Sequence, residues 1–134
     1  MEIKNIELGS EAASELNALL NKEWPDVGVF ETVKHGVTIP KPIVAIENNT
    51  VIGGLSFTCY KAPDCEQTAV WVNTVFVIPN FRHQGIATKL IEASQKSGNC
   101  LYALTNIPVL YTKIGWQAVN ISSSGTIVKY AKNT

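Results

Sequence analysis

The eleven residues from Thr68 to Ile78 are rich in Val, Trp, Thr and Phe, and Pro79 stops the run. Such residues fit a pleated, half-buried surface, so the run predicts a long central strand. Residues 80–84 are a polar loop. Gly85 to Ser97 then shows helical spacing through Ile86, Leu90, Ile91 and Ala93. A strand that feeds a helix through so short a loop demands a sheet with a helix packed on it. It also leaves several backbone N–H groups of the first helical turn without partners, pointing toward one place. That arrangement binds phosphate. Gly85 lets the backbone approach an anion closely, and Ala87 keeps the wall low. Arg82, the only arginine in the chain, stands in the same loop, and a guanidinium suits phosphate better than an ammonium does. Arg82-x-x-Gly85-x-Ala87 therefore predicts a site for a phosphate-type anion. It is neither a Walker loop nor a GxGxxG dinucleotide fingerprint.

The other elements follow from periodicity and punctuation. Ile3, Ile6 and Leu8 suggest a first strand. Ser10 is a candidate N-cap, with Glu11 favourable in the first turn. Ala12, Leu16, Leu19 and Leu20 give one apolar helical face, which ends at Pro25. Residues 25–42 hold three prolines and two glycines and read as irregular. Ile43 to Glu47 and Val51 to Lys61 read as a hairpin turning at Asn48-Asn49. Cys100 to Thr105 is a buried-type strand. Pro108 fits the first turn of a short helix closed by Gly115. Trp116–Asn120 and Thr126–Ala131 read as final strands. The order predicts one mixed α/β domain over residues 1–134.

Composition sets exclusions. The longest unbroken apolar run is five residues, Cys100 to Leu104, far short of the ~20 that a membrane span needs. The start, Met1 to Asn5, shows no signal-peptide pattern, so a cytoplasmic protein with no membrane partner is expected. Eleven basic and eleven acidic residues give no net charge, and nothing suggests a basic face for nucleic acid. The charge is uneven along the chain. Residues 1–80 carry five lysines and ten acids, a net −5; residues 81–134 carry five lysines, one arginine and one acid, a net +5. Cys59, Cys65 and Cys100 have no metal-like spacing, and His35 and His83 lack neighbouring ligands, so no metal site is expected. Cys59 and Cys100 read as core, Cys65 as exposed.

A second motif, Tyr111-x-x-x-Gly115-Trp116, begins 26 residues beyond Gly85. With Arg82-x-x-Gly85-x-Ala87 after a strand ending Val77-Ile78-Pro79, it resembles the GNAT superfamily of N-acetyltransferases. That family has Gln/Arg-x-x-Gly-x-Gly/Ala after such a strand and Tyr-x-x-x-Gly-Phe/Trp near the C-terminus. The element order fits from Glu2 to about Lys132. The resemblance implies a single GNAT-like domain: a central, mostly antiparallel, twisted sheet with splayed central strands and flanking helices.

It further implies an acyltransferase of the EC 2.3.1 type with acetyl-CoA as co-substrate. The diphosphate would rest on the loop and helix start at Arg82, His83, Gln84, Gly85, Ile86, Ala87 and Thr88. The pantetheine arm would run beside Val75, Phe76 and Val77. Tyr111 is the implied general acid to the leaving thiolate. The family often has a coenzyme-contacting Asn about seven residues before this Tyr; here Asn106 lies five before it. No acid falls between Thr68 and Phe81 or between Cys100 and Tyr111. The candidate bases are therefore the loop residues Glu66, Asp64, Glu31 and His35, with Asn73 or Thr74 holding a water. Glu31, His35 and Trp71 are also candidates for the acceptor side. The acceptor would be a primary amine of a small molecule or peptide. A −5 half would attract such a cation and a +5 half the coenzyme's phosphates. Relatives also suggest a homodimer joined through the last strands. A non-catalytic acetyl-CoA-sensing protein is the alternative, resting on the missing strand carboxylate. An RNA acetyltransferase is disfavoured by zero net charge and a single arginine.

Overall fold

Along the chain run β1 (Glu2–Asn5), α1 (Glu11–Glu23), β2 (Val33–Lys34), β3 (Val37–Thr38), β4 (Ile43–Glu47), β5 (Thr50–Lys61) and β6 (Thr68–Val77). A 3-10 turn (Pro79–Phe81) leads to α2 (Ile86–Ser94), β7 (Cys100–Thr105), α3 (Val109–Thr112), β8 (Gln117–Ser122) and β9 (Gly125–Ala131). This is a computed structural model, and it describes residues 1–132; the last two residues of the expected domain lie outside those described. Seven strands pair in the order β1-β4-β5-β6-β7-β9-β8, and β2 pairs with β3 as a separate hairpin. All pairs are antiparallel except β6 with β7, the pair bridged by α2.

Helices cover both faces. Leu16 and Leu20 of α1 pack with Val44 and Val51 on one side. On the other, Ile86, Leu90 and Ile91 of α2 pack with Leu55, Val72, Leu101 and Val128, and Tyr111 and Trp116 join them. The Ser10 hydroxyl caps α1 by accepting from the Ala13 N–H at 3.1 Å. Asn48 and Asn49 both adopt positive φ (50° and 62°), as a two-residue type I′ hairpin turn requires.

Residues 25–42 hold more order than their composition suggests. His35 (φ 52°) and Gly36 (φ 77°) turn the small β2–β3 hairpin. Each of its strands is only two residues long, too short to show alternation. Cys100 is exposed, not core; it opens β7 at the rim of the sheet, while the apolar residues after it, Leu101 to Ala103, are buried.

Gly54 sets how closely α1 approaches the sheet. A Cβ there would stand 2.5 Å from Leu16 Cδ1 and 2.6 Å from the Ile43 carbonyl oxygen. The side chain can yield; the strand backbone cannot. Gly54→Ala is expected to cost about 1–3 kcal/mol of stability and to lower the melting temperature by roughly 5–10 °C, as thermal unfolding would show.

Candidate active site

The site begins where two strands part. β6 stays paired with β5 as far as Val77↔Gly53, and β7 stays with β9 as far as Thr105↔Thr126. The β6–β7 pairs end earlier, at Val72↔Ala103. Beyond that point each strand follows its outer neighbour, and a cleft opens between their C-terminal ends. A bulge starts the divergence: Ser56 pairs with Thr74 and Phe57 with Val72, so Asn73 is left without a partner. Bulges bend a strand and re-aim side chains. Asn73 accordingly faces the cleft.

Three cavities meet there. One, of about 540 Å³, lies between the end of β6 and the start of α2 and is lined by Val75, Phe76, Val77, Arg82, Gly85 and Thr88, with His83, Ile86 and Ala87 also on its wall. The second, of about 660 Å³, fills the cleft and touches Asn73, Thr74, Val75, Thr105, Asn106 and Tyr111. The third, of about 680 Å³, sits over the β5–β6 face beneath the 26–34 segment, where Glu31 and Trp71 line it. Glu23, Trp24, Val75 and Ile107 are common to the first two. Asp26, Val27, Val72, Asn73 and Leu104 are common to the last two. The result is one channel crossing the sheet at its splay.

The first cavity is built for an anion. Gly85 is the N-cap of α2 at φ 80°, and no side chain caps the helix. The first bond back into the helix runs from the Lys89 N–H to the Gly85 carbonyl at 3.1 Å, so the N–H groups of Ile86, Ala87 and Thr88 precede it. A Cβ built on Gly85 meets no atom within 4 Å. That open space is what a diphosphate laid on the helix start would occupy, so these residues fit a coenzyme of that kind. Arg82 donates from Nε to the Val77 carbonyl at 2.7 Å and lies over the Phe76 ring at 5.3 Å. Its Nη edge is what remains to meet a phosphate. His83 takes φ 64°, a left-handed conformation that His adopts more readily than most residues.

Tyr111 stands in the cleft on a helix end that explains its motif. The Trp116 N–H donates to the Tyr111 carbonyl at 3.2 Å and the Gly115 N–H to the Thr112 carbonyl at 3.3 Å, with Gly115 at φ 102°. This is a Schellman closure, which requires a residue tolerant of positive φ and brings the two flanking apolar residues together. The Tyr111 and Trp116 rings meet edge to face at 5.0 Å. Burial pushes the Tyr111 phenol up to about 12.

The remaining sequence candidates are engaged in other contacts or stand off the cleft. Glu66 is on the surface, 3.1 Å from Lys61 Nζ, and off the channel. His35 is at the tip of the β2–β3 hairpin, where its role is the turn. Asp64 accepts from the Tyr102 hydroxyl at 2.6 Å and pairs with Lys129 at 2.7 Å. The Thr74 hydroxyl is buried and shares a 2.7 Å hydrogen bond with Ser56. Gln84 belongs to the anion loop without lining its cavity. Sequence reasoning missed two acids: Glu23, at the end of α1, lines the first cavity and the cleft, and Asp26 touches both the cleft and the third cavity. Asp26 sits in a turn closed by the Val27 N–H on the Trp24 carbonyl at 3.0 Å. The next residue but one, Gly28, is gripped by Asn17 and Asn21 of α1, at 2.7 and 2.8 Å on its carbonyl and 3.0 Å on its N–H. The Pro25-Asp26 pair signals such a turn; nothing in the sequence says where the turn lands.

An anion cradle at a helix start, joined to a cleft between splayed parallel strands, defines an acyl-coenzyme A transfer fold. The chain belongs to the GNAT acetyltransferase family: the model described as "Acetyltransferase (GNAT) domain" matches residues 40–118. It is an N-acetyltransferase, with acetyl-CoA as co-substrate. No curated protein matches the sequence. Solved structures show the same fold. A protein from Pyrococcus horikoshii OT3 superposes with a TM-score of 0.69 at 14% identity, over 99% of each chain. The Escherichia coli GNAT family N-acetyltransferase YhbS, in complex with CoA, gives 0.67 at 17% identity, over 96% of this chain and 79% of its own. An aminoglycoside 6'-acetyltransferase type Ii gives 0.67 at 17% identity, over 98% and 97%.

Proposed function

We propose that the chain transfers acetyl directly from acetyl-CoA to a primary amine of a small molecule or peptide, with Tyr111 as general acid. The observation that carries this reading is the row of adjoining cavities from the Gly85 cradle past Tyr111 to the third cavity. Bound acetyl-CoA supplies an activated acetyl carbon. The anion loop at Arg82–Thr88 holds its diphosphate, and the inner edge of β6 at Val75–Val77 offers backbone groups that have no strand partner on the β7 side. Such N–H groups polarise a carbonyl in place, which is the usual source of oxyanion stabilisation. The amine nitrogen bonds to the acetyl carbon and the carbon–sulfur bond breaks. The ammonium first loses one proton to solvent water; after attack a second passes from the nitrogen to the sulfur by way of Tyr111 Oη, so that coenzyme A leaves as the thiol and the phenol is restored. Cys59 lines the third cavity, where its thiol donates to the Lys34 carbonyl, and not the cleft that holds Tyr111, which favours direct transfer over an acetyl-cysteine.

Calorimetric titration with acetyl-CoA and with CoA, followed by thiol-release assays on an amine panel, tests the proposal. Binding of both and amine-dependent thiol release are the expected results; no binding to either would end it. The opposite charges of the two chain halves predict that the acceptor KM rises with salt over the range where the Debye length falls from ~10 Å to ~3 Å. A salt-independent KM would remove charge attraction from the account.

A further inference from the structure

We propose that the acceptor is an amine on a flat aromatic body, an arylalkylamine. The inference rests on the acetyl-transfer reading and names the substrate class of the third cavity. At about 680 Å³ the cavity has the size of a small-molecule site.

The charges come first. Three ionisable side chains with full charges face the cavity: Asp26, Glu31 and Lys34. Glu31 and Lys34 stand at the same end. Both bear on the buried Cys59 thiol, in opposite senses, and Cys59 donates to the Lys34 carbonyl at 2.8 Å. Lys34 Nζ reaches the Thr58 hydroxyl at 3.4 Å. Asp26 lies where the cavity enters the cleft, and Glu23 lines the cleft beyond it. Carboxylates beside the reacting position favour a cationic amine.

The floor is aromatic and fixed. Thr58, Trp71, Tyr102 and Lys129 lie in one register row across β5, β6, β7 and β9. The Trp71 indole donates to the Tyr60 carbonyl at 3.3 Å and packs on Tyr102 with centroids 5.3 Å apart and planes tilted by 30°. Tyr102 is pinned in turn by its hydroxyl on Asp64, which Lys129 also grips. Trp71 therefore presents one ring face in one position, with Leu104 and Ile127 extending the surface and Phe30 on the facing wall. A preformed aromatic surface loses little freedom on binding. It rewards a flat ring laid on Trp71.

The test compares tryptamine, phenethylamine, spermidine, kanamycin and a tetrapeptide amine, by initial rates and by calorimetry on the free protein. The arylalkylamines are expected to show kcat/KM at least tenfold above the rest, and tryptamine to bind the free protein where spermidine does not. Trp71→Ala is expected to raise the tryptamine KM about tenfold while the acetyl-CoA Kd stays within about twofold, the size of a lost aromatic contact. Asp26→Asn, in an exposed turn where folding is not at risk, should raise the KM by a similar factor. Preference for spermidine, kanamycin or the peptide would overturn the inference. So would an acceptor KM unmoved by Asp26→Asn, or acetyl-CoA binding with no arylalkylamine accepted; these outcomes leave acetyl transfer standing. Failure to bind acetyl-CoA would overturn both.

Discussion

Tyr111→Phe is expected to lower kcat by about 10- to 1000-fold, with acetyl-CoA binding and folding preserved. The ring is what the fold uses: it closes against Trp116 at 5.0 Å across the Schellman turn, and Phe keeps it. Only Oη is lost, and only chemistry should notice. Burial holds that phenol near 12, whereas an alkyl thiol lies near ~8.5. Full proton transfer to a thiolate is thus uphill by roughly 3 units, or about 4–5 kcal/mol. On the proposed mechanism Tyr111 would act first as a hydrogen-bond donor to the departing sulfur and yield its proton only as the nitrogen's proton replaces it. Because its pKa is raised, the phenol stays protonated between about pH 6 and pH 10, so Tyr111 contributes no limb to the rate profile there. Wild type and Tyr111→Phe should then give parallel kcat–pH profiles separated by a constant factor in thiol-release assays. The linkage sign is also fixed. The unfolded chain, with its phenol near ~10, loses the proton before the folded one. Folding stability is accordingly whole below pH ~10 and falls as pH rises toward 12, and the variant lacks that part of the loss. Equal kcat in the two proteins would remove Tyr111 from the mechanism.

The parts of this site that could be read in the sequence are those made by local backbone rules. Ser10 caps α1, Asn48-Asn49 turns the β4–β5 hairpin and Pro79 halts β6, each through conformational preferences that act over two or three residues. Both motifs have the same character. Arg82-x-x-Gly85-x-Ala87 is an uncapped helix start, and Tyr111-x-x-x-Gly115-Trp116 is a helix end whose glycine and aromatic pair satisfy one closure. The splay entered through family resemblance, because it depends on where strands 30 residues apart stop pairing; the Asn73 bulge and the end of the β6–β7 pairs at Val72↔Ala103 show its cause.

The acceptor side was hidden for a related reason. Glu66 and Asp26 are both loop acids in the sequence. One binds Lys61 in solvent; the other is carried to the cleft because Asn17 and Asn21 hold Gly28 against α1. That clamp is a tertiary contact between polar residues, and hydrophobic periodicity does not register it. His35 was drawn toward the site by its chemistry, while its backbone, at φ 52°, serves a turn between strands too short to show a pattern.

Gly85→Val should weaken acetyl-CoA binding by a hundredfold or more, and Gly85→Ala by about tenfold, steps of roughly 1.4 kcal/mol per decade. Two effects of each substitution must be separated. Gly85 sits at φ 80°, where an L side chain costs about 1–2 kcal/mol and a β-branched one is a genuine outlier. That strain lowers stability whether or not a coenzyme is present. The second effect is local. The added Cβ meets no protein atom within 4 Å, because the space it enters is the mouth of the anion cradle, over the N–H groups of Ile86, Ala87 and Thr88. Gly9 supplies the control. It has φ 89°, and a Cβ there also meets nothing within 4 Å, but it precedes α1 and lies off the coenzyme cavity. Gly9→Ala should lower the melting temperature about as much as Gly85→Ala and leave the acetyl-CoA Kd unchanged in calorimetric titration. If Gly9→Ala weakened binding as much as Gly85→Ala, the loss would belong to backbone strain in general. The helix start at Gly85 would then be an ordinary strand-to-helix joint, and the coenzyme's phosphates would have to be held elsewhere.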